Sequence, residues 1–339
     1  MARSELTVDL GALRRNARAL LTALDGAELW AVVKADGYGH GAVAVAGAAL
    51  GAGATALCVA TVPEALALRA ALGTVRILVL GPASNREIAQ ARDAGLELTV
   101  ADGEIPEGVR VHLKLDTGMG RWGLAELPAP TREVVGVMSH FASADADAAF
   151  TEEQVRRFRE ATEPVAHLTR HIANSAGALR YPSARFDSAR CGIALYGLSP
   201  FGVDPADDGL EPVLRWESEL AQVKLLAPGE STGYGRRFVA ERETWVGIVP
   251  VGYADGFRRD LTGTEIRVAG ERRRVVGTIS MDALAVELDR RLPPGTPVTL
   301  LGHGVYAEEH ARVAGTINYE IVTGIRSSPE RARRSVVDA

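Results

Sequence analysis

From Leu29 onward the chain alternates short β-branched and apolar runs with Ala- and Leu-rich segments of helical spacing, and this alternation constrains the fold more than any other feature. A strand that pairs in parallel with its predecessor needs a long crossover, usually a helix, so the rhythm predicts parallel βα units. Eight runs follow in order: LWAVV (29–33), ALCVA (56–60), RILVL (76–80), LELTV (96–100), RVHLKL (110–115), VVGVMS (134–139), LTRHIA (168–173) and a last one near Arg185 to Ala189. Eight such units predict an α/β fold with a TIM-type (β/α)8 barrel rather than an open sheet. The segment ADGEIPEGV (101–109) is too short for a full helix between the fourth and fifth strands, so that helix is expected to be shrunken or absent.

After Gly197 the texture changes. A turn-rich stretch, SPFGVDPADDGLEP, precedes LRWESELAQVKLL, TWVGIVPVGY, EIRVAG, RRRVVGTIS, ALAVELD and PVTLLG, which read as strands joined by short turns. The expected division is a barrel over residues 1–209, with residues 1–9 pairing with the second domain, and a mostly β C-terminal domain over 210–339. A chain of 339 residues is long enough for two cores. A formal net charge of -5, spread over both halves, argues against a nucleic-acid partner, which would need a concentrated basic face. ERRRV at 271–275 reads as a solvated strand face. The start, MARSELTVDLGALRRN, reaches polar residues too early for a signal-peptide core, and no run is long enough to span a membrane. Two distant cysteines, Cys58 and Cys191, suit a reducing cytoplasm, the expected location.

The segment AVVKADGYGHG (31–41) places Lys34 directly after an apolar strand and before a glycine-rich turn. In a barrel the C-terminal strand ends face the active site, where an amine of lowered pKa can attack an aldehyde. Position alone leaves a second reading open, a lysine whose head merely reaches solvent. The same rule selects Asp116 and Arg121 in KLDTGMGRWG, His140 in VGVMSHFASAD, His171, Asn174 and Ser175 in HIANSAG, and Arg190 in SARCGIALYG. His112 and His167 read as ordinary surface or satisfied core histidines. Small residues in HIANSAG and RCGIALYG would let backbone N–H groups approach a phosphate after strands seven and eight.

These motifs, together with TGYGRRF, VPVGYADGF, GTISMDAL and TINYEI, make the chain resemble the fold type III alanine racemases over nearly its whole length. The resemblance implies a pyridoxal 5'-phosphate enzyme that interconverts L- and D-alanine and supplies D-alanine for peptidoglycan. Lys34 would carry the cofactor as a Schiff base and act as one catalytic base. Tyr234 would be the opposite base, delivered by the partner subunit of a homodimer. Inversion needs a proton removed from one face and returned to the other, and tyrosine, with an ordinary pKa of about 10, needs neighbours that favour its phenolate. Tyr38, His140, Asn174, Ser175, Gly192, Ile193 and Tyr319 would hold the cofactor. Arg190 would face its ring nitrogen, to which a guanidinium can only donate. Arg121, Met281, Asp282 and Tyr253 would bind substrate, and Lys114 would be carbamylated. No metal is implied.

The motif GTISMDA departs from the GRICMDQ common in the family at Thr278, Ser280 and Ala283, which puts side-chain selectivity in question. A serine or broader amino-acid racemase, a decarboxylase of related fold and a non-catalytic cofactor carrier are the alternatives. A carrier would have no use for Tyr234, Tyr253, Met281 and Asp282.

Overall fold

The computed structural model describes residues 3–339, which divide into two compact units, Ala12–Glu211 and the described N-terminal residues up to Gly11 with Pro212–Ala339. After β1 (Ser4–Asp9) come β2 (Glu28–Val32), β3 (Ala56–Val59), β4 (Ile77–Val79), β5 (Glu97–Val100), β6 (Arg110–Lys114), β7 (Val134–Met138), β8 (Thr169–His171) and β9 (Ser188–Cys191). Strands β2 to β9 form one parallel sheet in the order β8-β7-β6-β5-β4-β3-β2-β9. Its two ends meet through the N–H groups of Asp187 and Arg190, which donate to the carbonyls of Arg170 (3.1 Å) and Ala173 (2.9 Å). The sheet is therefore a nearly closed barrel. Its residues are buried on both faces almost throughout, as a parallel sheet wrapped in helices requires.

The eighth run begins later than the sequence suggests, at Ser188. Phe186 holds a left-handed φ of 40°, and Asp187 accepts the Arg170 N–H at 2.7 Å, so a turn occupies the expected start. Helices Val62–Leu72 and Asn85–Asp93 open with reciprocal caps, Thr61 with Glu64 and Ser84 with Glu87. No helix joins β5 to β6, and none joins β6 to β7 either. In the second gap the Asp116 carboxylate gathers the N–H groups of Gly118, Met119 and Gly120, which closes a turn where a helix would start.

The second unit contains β10 (Leu214–Glu219), β11 (Gln222–Leu226), β12 (Ser231–Thr232), β13 (Phe238–Val239), β14 (Thr244–Val249), β15 (Glu265–Val268), β16 (Glu271–Val276), β17 (Leu284–Leu288), β18 (Pro297–Leu301) and β19 (Ala332–Val337). Nine strands form a sheet ordered β11-β14-β17-β16-β15-β18-β10-β1-β19. Strand β1 lies between β10, antiparallel, and β19, parallel, with Leu6 beside Trp216 and Arg334. LRWESELAQVKLL is two strands, because the chain turns at Leu220 and Ala221. Helices Ala307–Ala314 and Asn318–Thr323 complete the unit, the second containing most of TINYEI. Among the described residues no helix is long and apolar enough to cross a membrane.

Candidate active site

Lys34 stands at the C-terminal end of β2, on a turn of unusual backbone. Ala35, Asp36, Gly37 and Tyr38 are all left-handed, with φ of 52°, 50°, 62° and 54°. Such a run is unfavourable for L-residues and persists only where surroundings enforce it. Here Glu64 accepts the N–H groups of Ala35 and Ala60, each at 2.8 Å, and Asp36 accepts that of Ala42 at 2.9 Å. Tyr38 stacks on Tyr196 at 4.8 Å, and the Tyr196 hydroxyl donates to the Val32 carbonyl at 2.9 Å. A Cβ at Gly192 would lie 2.4 Å from the Tyr38 hydroxyl oxygen, so only glycine fits against this ring. Lys34 thus projects from a clamped segment rather than a loose loop.

The surrounding field is positive. Burial lowers the pKa of Lys34, Arg121 and Arg190 lower it further, and Glu64 opposes them. Lys114, at the end of β6 and 5% exposed, is pushed down to about 8 by burial and by Arg121 and Arg190. Its Nζ lies 5.4 Å from the Trp122 ring, and the Arg121 guanidinium lies 5.3 Å from the same ring. His140 is held well below the usual imidazole range by burial and by Arg190, Lys114, Arg121 and Lys34. It is neutral at pH 7.

After β8 and β9, Ser175 Oγ accepts the N–H groups of Gly192 (3.1 Å) and Ala194 (3.3 Å). Asn174 caps the next turn by accepting the Gly177 N–H at 2.9 Å. Ser175, Gly192 and Ile193 are buried. Arg190, 3% exposed, donates to His171 Nδ1 at 2.6 Å, to the Ser139 carbonyl at 2.7 Å and to His140 Nδ1 at 3.2 Å. An amine of lowered pKa, clustered N–H groups and a donating guanidinium form a donor set that fits pyridoxal phosphate, an anionic pyridine aldehyde. Lys34 would meet its aldehyde, Ser175 and the Gly192–Ile193 backbone its phosphate, and Arg190 its ring nitrogen.

One strand-end candidate serves another end, since Asp116 is spent on its own turn, while His167 is exposed, as an ordinary surface histidine should be. Glu97, which the sequence pattern does not single out, and His112, a satisfied core histidine in keeping with one of its two ordinary readings, lie in the barrel interior, with His112 Nε2 2.9 Å from Glu97 Oε2. A glutamate inside the apolar run LELTV was the available signal, since a buried carboxylate needs partners.

Within the second unit, Tyr234, Tyr253, Met281 and Asp282 lie on interlocked loops. Thr278 Oγ1 donates to the Tyr234 carbonyl at 2.8 Å, and Ser280 Oγ donates to the Ala283 carbonyl at 3.0 Å. The Tyr253 N–H reaches the Ser280 carbonyl at 3.1 Å. Two of the departures from GRICMDQ therefore hold these loops in shape. Asp282 pairs with Arg331 at 2.9 Å and with Arg3 at 3.5 Å. Tyr234, Met281 and Tyr253 are 72%, 51% and 43% exposed, unusual for side chains of that size. Tyr319, half-buried, lies on the helix Asn318–Thr323.

Residues 8–200 match the family model of the alanine racemase N-terminal domain, and residues 213–333 match that of the alanine racemase C-terminal domain. The chain is 40% identical to alanine racemase 1 of Bacillus subtilis (strain 168), over 96% of its own length and 91% of that protein. It is 43% identical to the alanine racemase of Beutenbergia cavernae, over 93% and 94%. Among solved structures it is similar to the alanine racemase of Streptomyces coelicolor A3(2), with a TM-score of 0.91 at 39% identity over 99% and 98% of the chains. The alanine racemase from E. faecalis gives 0.90 at 36% identity, over 99% and 98%.

Proposed function

The chain belongs to the alanine racemase family and is an isomerase of that class, and from this premise we propose that it racemises alanine with pyridoxal phosphate by a two-base mechanism in a homodimer. The observation that carries the reading is Lys34, an amine on a clamped strand end whose pKa is lowered by burial and by Arg121. Bound pyridoxal phosphate supplies an electron sink that acidifies the substrate Cα–H. Lys34 Nζ then takes or returns the proton on one face. The Tyr234 hydroxyl of the partner subunit serves the other, and its 72% exposure suits delivery to a neighbour. Arg121 and, delivered like Tyr234 by the partner subunit, the backbone at Met281 would orient the substrate carboxylate, with Tyr253 and Asp282 of the partner subunit beside them.

Arg190 would donate to the ring nitrogen of the bound cofactor and so favour its unprotonated form, a weaker electron sink that would limit side reactions. Neutral His140 packs against the same guanidinium. Tyr38, Asn174, Ser175, Gly192 and Ile193 would secure the phosphate end, the role that the family resemblance also gives Tyr319. Lys114 is a candidate for carbamylation, because the reaction needs a neutral amine and its pKa of about 8 makes one available. An anion there would also relieve its repulsion with Arg121. The enzyme would supply D-alanine for peptidoglycan from the cytoplasm, a compartment that suits its free cysteines Cys58 and Cys191.

The test combines a visible spectrum of the purified protein with chiral product analysis on L-alanine and L-serine. A cofactor band and rapid conversion of L- to D-alanine are expected. Absence of the band after cofactor addition would overturn the reading, and faster serine turnover would reassign the substrate.

A further inference from the structure

A buried line of hydrogen bonds runs from Arg190 across the barrel interior. Arg190 Nη1 lies 2.6 Å from His171 Nδ1, His171 Nε2 lies 2.8 Å from His112 Nδ1, and His112 Nε2 lies 2.9 Å from Glu97 Oε2. The far end is anchored by Arg76, whose Nε donates to both Glu97 oxygens at 3.0 and 2.9 Å. Glu97, His112, His171 and Arg190 are 2%, 0%, 0% and 3% exposed, and they come from β5, β6, β8 and β9.

Proton positions in this line are forced from both ends. A guanidinium has no acceptor, so His171 Nδ1 must be bare and its proton must sit on Nε2. That proton occupies His112 Nδ1 as acceptor, so His112 carries its own proton on Nε2 and donates it to Glu97. The carboxylate, which only accepts when ionised, closes the line. Burial holds both imidazoles below their usual pKa, in keeping with two neutral rings. Burial alone would raise the pKa of Glu97, but the bonds from His112 and Arg76 bring it below the usual carboxylate value. The packing supports the same geometry: Trp30 lies edge-on to His112 at 5.6 Å and tilted over His171 at 4.6 Å. Gly136 leaves room for His112, since a Cβ there would lie 2.2 Å from Nδ1.

We propose that Glu97, His112 and His171 are positioning residues that fix the direction of hydrogen bonding and so hold Arg190 as a donor aimed at the cofactor ring. The proposal rests on the reading of Arg190 as the partner of the ring nitrogen. With the tautomers reversed, an N–H of His171 would confront an N–H of Arg190 at 2.6 Å, and the guanidinium would have to turn away. The remaining bonds of Arg190 run to the carbonyls of Ser139, His171 and Ile172 and to His140, so Glu97 is the anion that this network offers it.

The experiment is nitrogen NMR of the cofactor-loaded protein labelled at its seven histidines, with absorption spectra and steady-state kinetics on the same samples. The wild type should show His112 and His171 as neutral Nε2–H tautomers. Glu97→Gln should introduce the Nδ1–H tautomer, shift the cofactor absorption and lower kcat for L-alanine about tenfold or more while KM stays within about threefold, as is usual when a group orienting a reactive centre is lost. Glu97→Asp, which keeps the charge, should restore the tautomers. His112→Phe keeps an aromatic ring against Trp30 and should release the His171 tautomer if Glu97→Gln does not fold. A Glu97→Gln protein with unchanged tautomers, spectrum and kcat, even if less stable, would overturn the proposal, as would an Nδ1–H tautomer in the wild type. Failure of the wild type to develop a cofactor band would instead overturn the cofactor reading, an outcome seen before any variant is compared.

Discussion

We predict that Gly136→Ala destabilises the barrel by about 1.5–5.5 kcal/mol at pH 7, a figure worked from three contributions. A Cβ at this position on β7 would lie 2.2 Å from His112 Nδ1, 2.4 Å from His112 Cε1 and 2.8 Å from the Thr169 carbonyl oxygen. Carbon contacts relax near about 3.5 Å, so the ring or the strand must shift by about 1 Å. The ring cannot move freely, because it is pinned at 2.8 Å to His171 and at 2.9 Å to Glu97. Overpacking costs about 1–3 kcal/mol, and a stretched hydrogen bond to a buried carboxylate about 1.5–3 kcal/mol. Loss of glycine's freedom in the unfolded chain returns about 0.4–1 kcal/mol.

Urea unfolding at fixed protein concentration measures the change, with far-ultraviolet circular dichroism and tryptophan fluorescence as independent probes. Gly47→Ala is the control. Gly47 lies in the helix Ala42–Gly51 with its nearest neighbour, Leu72 Cδ2, 4.0 Å from a Cβ, so alanine there should stabilise by about 0.5–1 kcal/mol. A Gly136→Ala loss below about 1 kcal/mol, with His112 resonances unmoved, would refute the steric argument.

Lys34→Ala and Tyr234→Phe should each be inactive alone, while mixing them under conditions proven to exchange subunits should recover up to about a quarter of wild-type activity, because half the dimers become hybrids with one intact site of two. No recovery would sink the shared site. Folding lowers the pKa of Lys114 from 10.5 to about 8, so the folded chain binds fewer protons than the unfolded one between those values. The penalty is therefore complete below about 8 and fades as pH rises toward 10.5. Lys114→Met should be more stable than the wild type by up to about 3 kcal/mol at pH 7, converging near pH 10.5; bicarbonate should narrow the gap if Lys114 forms a carbamate. A pH-independent difference in urea midpoint would reject this assignment. Arg190→Glu, whose carboxylate would accept a hydrogen bond from a protonated ring nitrogen and so strengthen the electron sink, should slow racemisation and raise the share of transamination products; an unchanged rate and product ratio would contradict the role given to Arg190.

The barrel was legible because its strands are buried on both faces, which forces uninterrupted apolar runs such as LWAVV and ALCVA. The gap between β6 and β7 was not, because its course depends on the Asp116 carboxylate collecting three N–H groups, and a pattern of apolar residues carries no trace of that. The start of β9 slipped for a similar reason, a left-handed Phe186 that no propensity favours. Helix Asn318–Thr323 was hidden because six residues are too few for a periodic pattern to emerge.

The polar interior divides along the same line. Lys34, Arg190 and His140 end strands, where the fold itself announces a site, so their types and positions suffice to select them. Glu97 and His112 occupy strand interiors, and a histidine read alone is ordinary. What distinguishes them is mutual: Glu97 is admissible in an apolar run only because Arg76 and His112 satisfy it, and His112 has room only because residue 136 is glycine. Such information lies in pairs of residues on different strands, brought together by closure of the barrel. Glu97 is also the point at which the argument can be reversed, because removing its charge should release the tautomers of His112 and His171 and so break the bond by which Arg190 donates to His171.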